Sequence, residues 1–135
     1  MPADYATNEL WSQAVRSPYP RIIPENAQPR TIGPISGAPT LEVGFPLAYD
    51  DAELKWVPWT ASGTSNTNII KGFIYPVDVD TDATKDVLGI VMLRGEIHYD
   101  DIIIPSGEAE ADLKAALRDG PLARGLIIRG LEEVR

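Results

Sequence analysis

Four aspartates within nine residues form the densest group of possible metal ligands in this sequence. Their spacing places carboxylates at alternate positions, as in a calcium-binding loop. The sixth position of such a loop needs a glycine and the twelfth a bidentate glutamate, but this chain has Ala83 and Gly89 there. We therefore expect a solvated acidic loop between strands, with no metal and no other cofactor. The four residues are Asp78, Asp80, Asp82 and Asp86.

Other residues that could do acid–base or nucleophilic chemistry lack partners. His98 is the only histidine, and without cysteine zinc has none of its usual additional ligands. Asp50 and Asp51 are adjacent, as are Asp100 and Asp101, and neighbours in a strand point to opposite faces, so they make poor acid–base pairs. The sequence has no nucleophile elbow and no phosphate-binding glycine loop. It predicts a binding or structural protein, not an enzyme.

Two tryptophans form the other group with possible binding chemistry. Trp56 and Trp59 lie three residues apart around Pro58 and could stack on a sugar ring. Tryptophans at a strand edge more often fill a core or a subunit interface. We assign both, together with Tyr99, to core or subunit contacts.

The elements that position these residues are mainly β-strands, in a body formed by residues 40–135. Residues 87–105 contain an apolar, β-branched run and then an alternating segment, which predicts two strands around a tight turn at Arg94-Gly95. Further short strands are expected at residues 41–43, 45–49, 54–57, 69–79 and 125–128.

One surface helix is predicted at about residues 107–119. Ser106 is a good N-cap, and Gly120 followed by Pro121 forms a stop signal. An apolar stripe at helical spacing indicates the buried face. The stripe consists of Ala109, Leu113, Ala116 and Leu117.

The N-terminal segment, residues 1–39, is predicted to be an extended, proline-rich arm. Its seven prolines each remove a hydrogen-bond donor and restrict the preceding residue. Its apolar side chains are too many for a solvated linker, so we expect it to pack on a partner, or on its own or a sister subunit. Residues 21–23 and 31–32 are predicted as unpaired extended pieces that could add a strand to a partner's sheet. The residues assigned to this arm contact are Trp11, Tyr19, Arg21, Ile22, Ile23, Thr31 and Ile32.

The charge distribution excludes some classes of partner. Residues 1–40 are neutral in balance, so the whole formal charge of -8 lies on residues 41–135. Such an acidic body repels nucleic acid and anionic membranes. No apolar run reaches the roughly 18 residues of a membrane span, and the N-terminus lacks the features of a signal peptide. We expect a protein of the cytoplasm with neither nucleic acid nor membrane as partner.

In three blocks the sequence resembles the head decoration proteins of tailed bacteriophages, typified by the phage lambda head protein D. Residues 33–39 resemble the junction between arm and body in that family. Residues 46–59 resemble its first hairpin, with matches at Pro46, Leu47, Asp50, Lys55, Val57 and Trp59. Residues 95–105 resemble its central hairpin, with matches at Gly95, Tyr99, Asp101 and Pro105. The chain before Gly33 does not align with the family.

This resemblance implies a structural virion protein with a compact β-clip fold. Members are homotrimers on the outside of the expanded capsid, at three-fold and quasi-three-fold positions. They contact the major capsid protein and stabilise the shell against the pressure of packaged DNA. The arm becomes ordered on the capsid, so deleting residues 1–32 is predicted to leave a folded trimer that no longer binds. The expected location is the virion surface, after assembly in the host cytoplasm.

Two alternatives remain open at this point. A carbohydrate-binding or adhesion module on the virion surface would use Trp11, Trp56 and Trp59 as stacking surfaces. A small β-fold enzyme would need a concave pocket that holds His98 with Asp100 and Asp101.

Overall fold

The computed structural model describes residues 21–131 of the chain. Within that range the chain is mainly β, as predicted, and Trp11 and Tyr19 of the predicted arm lie outside it. The strands are β1 (Ile22–Ile32), β2 (Thr40–Leu41), β3 (Pro46–Asp50), β4 (Lys55–Pro58), β5 (Gly72–Ile74), β6 (Val79–Asp80), β7 (Val87–His98) and β8 (Leu126–Arg129). The helix α1 spans Glu110–Asp119, and 3-10 turns span Tyr99–Asp101 and Pro121–Arg124.

Strand β7 continues through the predicted turn at Arg94-Gly95, so the predicted hairpin is wrong. Gly95 has φ +141°, and a Cβ at this position would lie 2.4 Å from the carbonyl oxygen of Ile23. The register between β1 and β7 shifts beside this contact, between Pro24 and Asn26. Gly95 therefore does not form a tight turn. It allows two backbones to approach closely at a β-bulge, which is another common role of glycine in strands.

Strand β1 covers residues 22–32 of the predicted arm and is part of the body. It pairs antiparallel with β7 from Ile22 opposite Ile97 to Ile32 opposite Val87, and both of its terminal isoleucines are buried. Pro24 and Pro29 donate no N–H, which a strand with an open edge tolerates. The prediction that residues 21–23 and 31–32 are unpaired is therefore wrong.

The sheet closes on itself through β1. The strand order is β1-β4-β3-β5-β7-β8, and β1 pairs with β7 as well as with β4, so five strands form a ring. The contact between β1 and β4 is parallel and joins Ile32 to Trp56. Strand β8 extends the sheet beyond the ring, parallel to β7, and β2 pairs with β6 in a separate small sheet.

Two core clusters lie on opposite faces of the central strands. Neighbouring residues such as Val91 and Met92 belong to different clusters because successive side chains of a strand point to opposite faces. One cluster takes a residue from each strand of the ring and fills its interior: Ile32, Trp56, Leu47, Ile74 and Val91. The other packs between the sheet and α1, and includes Ile22, Trp59, Phe73, Met92, Ile97, Leu113, Leu117 and Leu126.

Helix α1 begins three residues later than predicted. Gly107 has φ +88°, which is not helical, so Ser106 cannot serve as the N-cap. Ala109 occupies the N-cap position without a side-chain hydrogen bond. Leu113 and Leu117 are buried as predicted, and the helix ends before Gly120.

Candidate assembly surfaces

The predicted aromatic contact residues lie in the core of the described chain. Trp56 and Trp59 are buried, and the indole N–H of Trp59 donates to the carbonyl oxygen of Asn68 at 3.0 Å. Tyr99 is also buried, and its hydroxyl donates to Glu110 Oε2 at 2.6 Å. A buried indole offers no face to a sugar, so Trp56 and Trp59 do not form the stacking surface of a carbohydrate-binding module.

The four aspartates between residues 78 and 86 form hydrogen bonds or ion pairs within the chain. Asp78 Oδ1 accepts the N–H of Val43 at 2.9 Å, and Asp80 Oδ1 accepts the Thr40 hydroxyl at 2.8 Å. Asp82 accepts the backbone N–H groups of Thr84 and Lys85 and the Thr84 hydroxyl, and these bonds lower the pKa of its carboxyl. Asp86 pairs with Lys55 at 2.9 Å. Within residues 21–131 no group of three or more metal-binding side chains comes together.

The polar residues after β7 are held in a network that fixes the turn. His98 Nδ1 accepts the N–H of Asp100 at 3.1 Å, and the imidazole packs against Gly130, where a Cβ would lie 2.5 Å from it. Arg21 Nη2 donates to Asp101 Oδ1 at 2.7 Å. The other carboxylate oxygen of Asp101 is buried with no hydrogen-bond partner in the described part of the chain. Each of these groups has a local structural role.

The other pair of adjacent carboxylates forms a turn, as predicted. Asp50 Oδ1 accepts the N–H groups of Ala52 at 2.9 Å and of Glu53 at 3.2 Å. Asp51 accepts the side-chain amide of Asn66. This arrangement closes the connection between β3 and β4.

An exposed apolar surface crosses β1, β7 and β8, and we call it the β8 patch. Ile23, Glu96 and Ile127 lie opposite one another on the three strands. Ile23 is 57% exposed and Ile127 is 40% exposed, and both line a groove of about 390 Å³. Two arginines border the patch: Arg129 donates to Glu96, and Arg94 pairs with Glu25 at 3.2 Å. More than half of each arginine side chain is exposed.

A second exposed apolar surface lies at the other end of β7, and we call it the β6 patch. Leu88 is 74% exposed and Val77 is 56% exposed. They line a groove of about 400 Å³ together with Pro29, Asp78 and Asp80. The patch thus combines apolar side chains with two carboxylates.

The two patches face opposite sides of the sheet. Ile97 points into the cluster under α1, so its neighbour Glu96 and the aligned isoleucines of the β8 patch point away from that cluster. Leu88 lies four residues before Met92, with no register shift between them, so both side chains are on the same face of the strand. Met92 points into the cluster under α1, so Leu88 lies on that side of the sheet. Glu96 follows Leu88 by eight positions in the sequence, about 26 Å along the strand.

The exposure of these side chains has no signal in the sequence. Leu88 belongs to the apolar run of β7, which indicates burial on both faces. Ile127 lies between Leu126 and Ile128, and only the pairing of β8 with β7 determines which of the three faces solvent. Exposure at these positions follows from strand register, which a local pattern does not specify.

The three blocks of the family resemblance are packed together in the fold. The N–H of Gly33 donates to the carbonyl oxygen of Trp56 at 2.9 Å, which joins the first block to the second. The N–H of Ile103 in the third block donates to Gly44 at 3.0 Å, two residues before the second block begins. A Cβ at Gly44 would lie 2.0 Å from the carbonyl oxygen of Asp101. Segments far apart in the sequence thus form one structural unit.

Comparison with known proteins adds no assignment. No protein-family model matches this chain, and no curated protein matches it. Within the described residues, no helix is long and apolar enough to cross a membrane. A function must therefore be argued from the residues and their geometry.

Proposed function

We propose that this protein is a capsid decoration protein of a tailed bacteriophage. As a homotrimer it binds the outer surface of the expanded shell, at three-fold and quasi-three-fold positions. There it contacts the major capsid protein and stabilises the shell against the pressure of packaged DNA. The observation that carries the proposal is the packing of the three family-like blocks into one unit. The Gly33–Trp56 hydrogen bond joins the first two blocks, and the Gly44–Ile103 hydrogen bond joins the third to the residues just before the second.

The arrangement of polar groups supports a binding role. Asp50, Asp82 and His98 hold turns, and Arg21 pairs with Asp101. Among residues 21–131, four of the six exposed large apolar side chains lie in the two patches, and Leu54 and Ile104 lie outside them. Exposed apolar groups rimmed by charge are typical of protein interaction sites.

The segment that contacts the capsid must be redefined. Ile22 and Ile32 are buried in the body, so these two do not reach out to a shell, whereas Arg21 pairs with Asp101 and is half exposed. Ile23 and Thr31 are exposed and remain available. The proposed capsid-binding arm is therefore residues 1–20, with Trp11 and Tyr19 as its aromatic contacts and Ile23 at its base.

Three such arms on one trimer bind together. Once one arm is bound, the next binds at a high effective concentration, so modest affinity per arm gives very slow release. Spaced prolines also limit the conformations that the free chain can adopt, which reduces the entropy lost on binding.

Co-sedimentation with phage shells tests the proposal. The shells are assembled from the major capsid protein encoded in the same genome and are prepared both before and after expansion. We expect the protein to pellet with expanded shells at saturable stoichiometry and to stay in the supernatant with unexpanded ones. Equal pelleting with both shells, or with neither, contradicts the proposal.

A further inference from the structure

We propose that the β8 patch of one copy docks on the β6 patch of the next copy, so that the subunits are joined head to tail. This inference rests on the homotrimer of the proposed function and names the surfaces that form it. The β8 patch contributes Ile23 and Ile127 with the bordering arginines. The β6 patch contributes Leu88 and Val77 with two aspartates.

Symmetry requires two different surfaces on each subunit. A ring of three identical chains cannot be built from a self-complementary contact, which closes at two copies. It needs a heterologous contact whose rotation closes the ring. Residues 21–131 carry two exposed apolar patches, at opposite ends of β7 and on opposite faces of the sheet, so one copy can engage both neighbours at once.

The apolar side chains of the patches are unusually exposed for a soluble domain. Leu88, Val77 and Ile23 each have more than half of their surface in water. Burial of such side chains against a partner is the main favourable term in association. Each patch is a groove with protruding side chains rather than a flat surface, which allows the two to interdigitate.

The β8 patch carries two arginines, each paired with a glutamate of the same patch, and the β6 patch carries two aspartates. Arg94 and Arg129 carry exposed guanidinium groups at the β8 patch. Asp78 and Asp80 each use one carboxylate oxygen, Oδ1, in the intrachain bonds described above. A guanidinium has five N–H donors, so the existing pairs with Glu25 and Glu96 leave donors for a second carboxylate. Hydrogen bonds from these remaining donors to Asp78 and Asp80 of the next copy favour the docking of the β8 patch on the β6 patch.

Two single variants, measured alone and mixed, test the inference. Ile127→Asp damages the β8 patch, and Leu88→Asp damages the β6 patch. Leu54→Asp is the matched control, because Leu54 is 69% exposed in the turn between β3 and β4, outside both patches. The mass of each is measured by light scattering behind a sizing column, and circular dichroism verifies folding.

The expected results distinguish a head-to-tail ring from other arrangements. The wild type and Leu54→Asp form trimers of the 14.7 kDa chain, and each patch variant dissociates at least tenfold more readily, to monomers. A mixture of the two patch variants has one intact contact and forms a one-to-one heterodimer. Ile23→Asp and Val77→Asp form a second pair if a first variant fails to fold.

Several outcomes would overturn the inference. A patch variant that remains a trimer shows that its patch is not an interface, and a mixture that forms no heterodimer excludes the contact between the two patches. A wild-type chain that stays monomeric at high concentration also overturns the ring. That last result leaves capsid decoration itself to be judged by co-sedimentation, so the two proposals fail separately.

Discussion

Tyr99 joins the end of β7 to helix α1 through one short hydrogen bond. Its hydroxyl donates to Glu110 Oε2 at 2.6 Å, and the Lys114 ammonium lies 5.4 Å from the ring centre. A hydrogen bond to a charged acceptor contributes about 1.5–3 kcal/mol to stability. At the scale of one residue, this contact secures the helix over the core.

Tyr99→Phe is expected to lower the free energy of unfolding by about 1–2 kcal/mol, since it removes a buried donor whose acceptor, the half-exposed Glu110 carboxylate, can turn to water instead. Urea denaturation followed by circular dichroism measures the change. Tyr49→Phe, which keeps the ring packed edge-on against Trp56, is the control and is expected to change stability by less than about 1 kcal/mol. Equal effects of the two substitutions would show that the Tyr99 bond has no special role.

Stability at alkaline pH is expected to depend on the same tyrosine. Burial, and then the hydrogen bond to Glu110, raise the pKa of Tyr99 from 10.0 to about 12. Because the folded-state pKa is the higher one, the stabilising contribution is complete below pH 10 and is lost as the pH rises through about 12. Urea denaturation between pH 9 and 12 should show a steeper decline for the wild type than for Tyr99→Phe. Parallel curves would contradict the assignment.

At the scale of elements, the pairing of β1 with β7 holds the body together. It depends on Gly95, where the backbones approach too closely for a side chain. The ring of five strands closes through the same strand β1, so this contact supports the interior core cluster as well.

Gly95→Ala is expected to destabilise the protein by about 2 kcal/mol or more, because the new Cβ would meet the Ile23 carbonyl oxygen at 2.4 Å. Gly37→Ala is the matched control: Gly37 has φ +84°, but a Cβ there meets nothing within 4 Å. Gly37→Ala is therefore expected to cost only the backbone strain of a positive φ, about 1 kcal/mol. Thermal unfolding measures both. A smaller effect at Gly95 than at Gly37 would refute the close approach.

The pattern of apolar and polar residues along the sequence correctly predicted several strands and the buried face of the helix. The strands at β3, β4 and β8 are confirmed, and so is the buried face of α1 at Leu113 and Leu117, because they depend on alternation or helical spacing that neighbouring residues show. Ala109, the first residue of the predicted stripe, is exposed and lies before the helix. The role of β1 was missed, since Pro24 and Pro29 hide a strand that only its distant partner stabilises. The start of α1 was misplaced because a good N-cap residue, Ser106, precedes a glycine with φ +88°. The predicted turn at Gly95 failed because glycine also serves bulges.

At the scale of the whole molecule, the pairing of β1 changes the expected effect of truncation. Removal of residues 1–20 is expected to leave the fold intact, with a melting temperature within a few degrees of the wild type, and to abolish binding to expanded shells. Removal of residues 1–32 takes away β1 and uncovers β7, so we expect a chain that fails to fold. Circular dichroism and co-sedimentation measure both. A folded chain after the longer deletion would contradict the paired strand.

The outer surfaces could not be predicted from sequence. Leu88 and Ile127 belong to apolar runs, and strand register alone decides that they face solvent. Asp50 and Asp82 were correctly predicted to be turn or loop residues, since they accept the backbone bonds that turns require. Asp80 of the predicted acidic loop lies instead in strand β6, paired with β2. The family resemblance supplied the functional hypothesis, and the fold supplied the surfaces on which it can be tested.

Electron cryomicroscopy of expanded shells incubated with the protein tests capsid decoration most directly. We predict added density on the outer surface at the three-fold and quasi-three-fold positions, with three copies of the β body around each axis. Absence of added density at saturating protein, or density confined to other symmetry positions, would contradict the account.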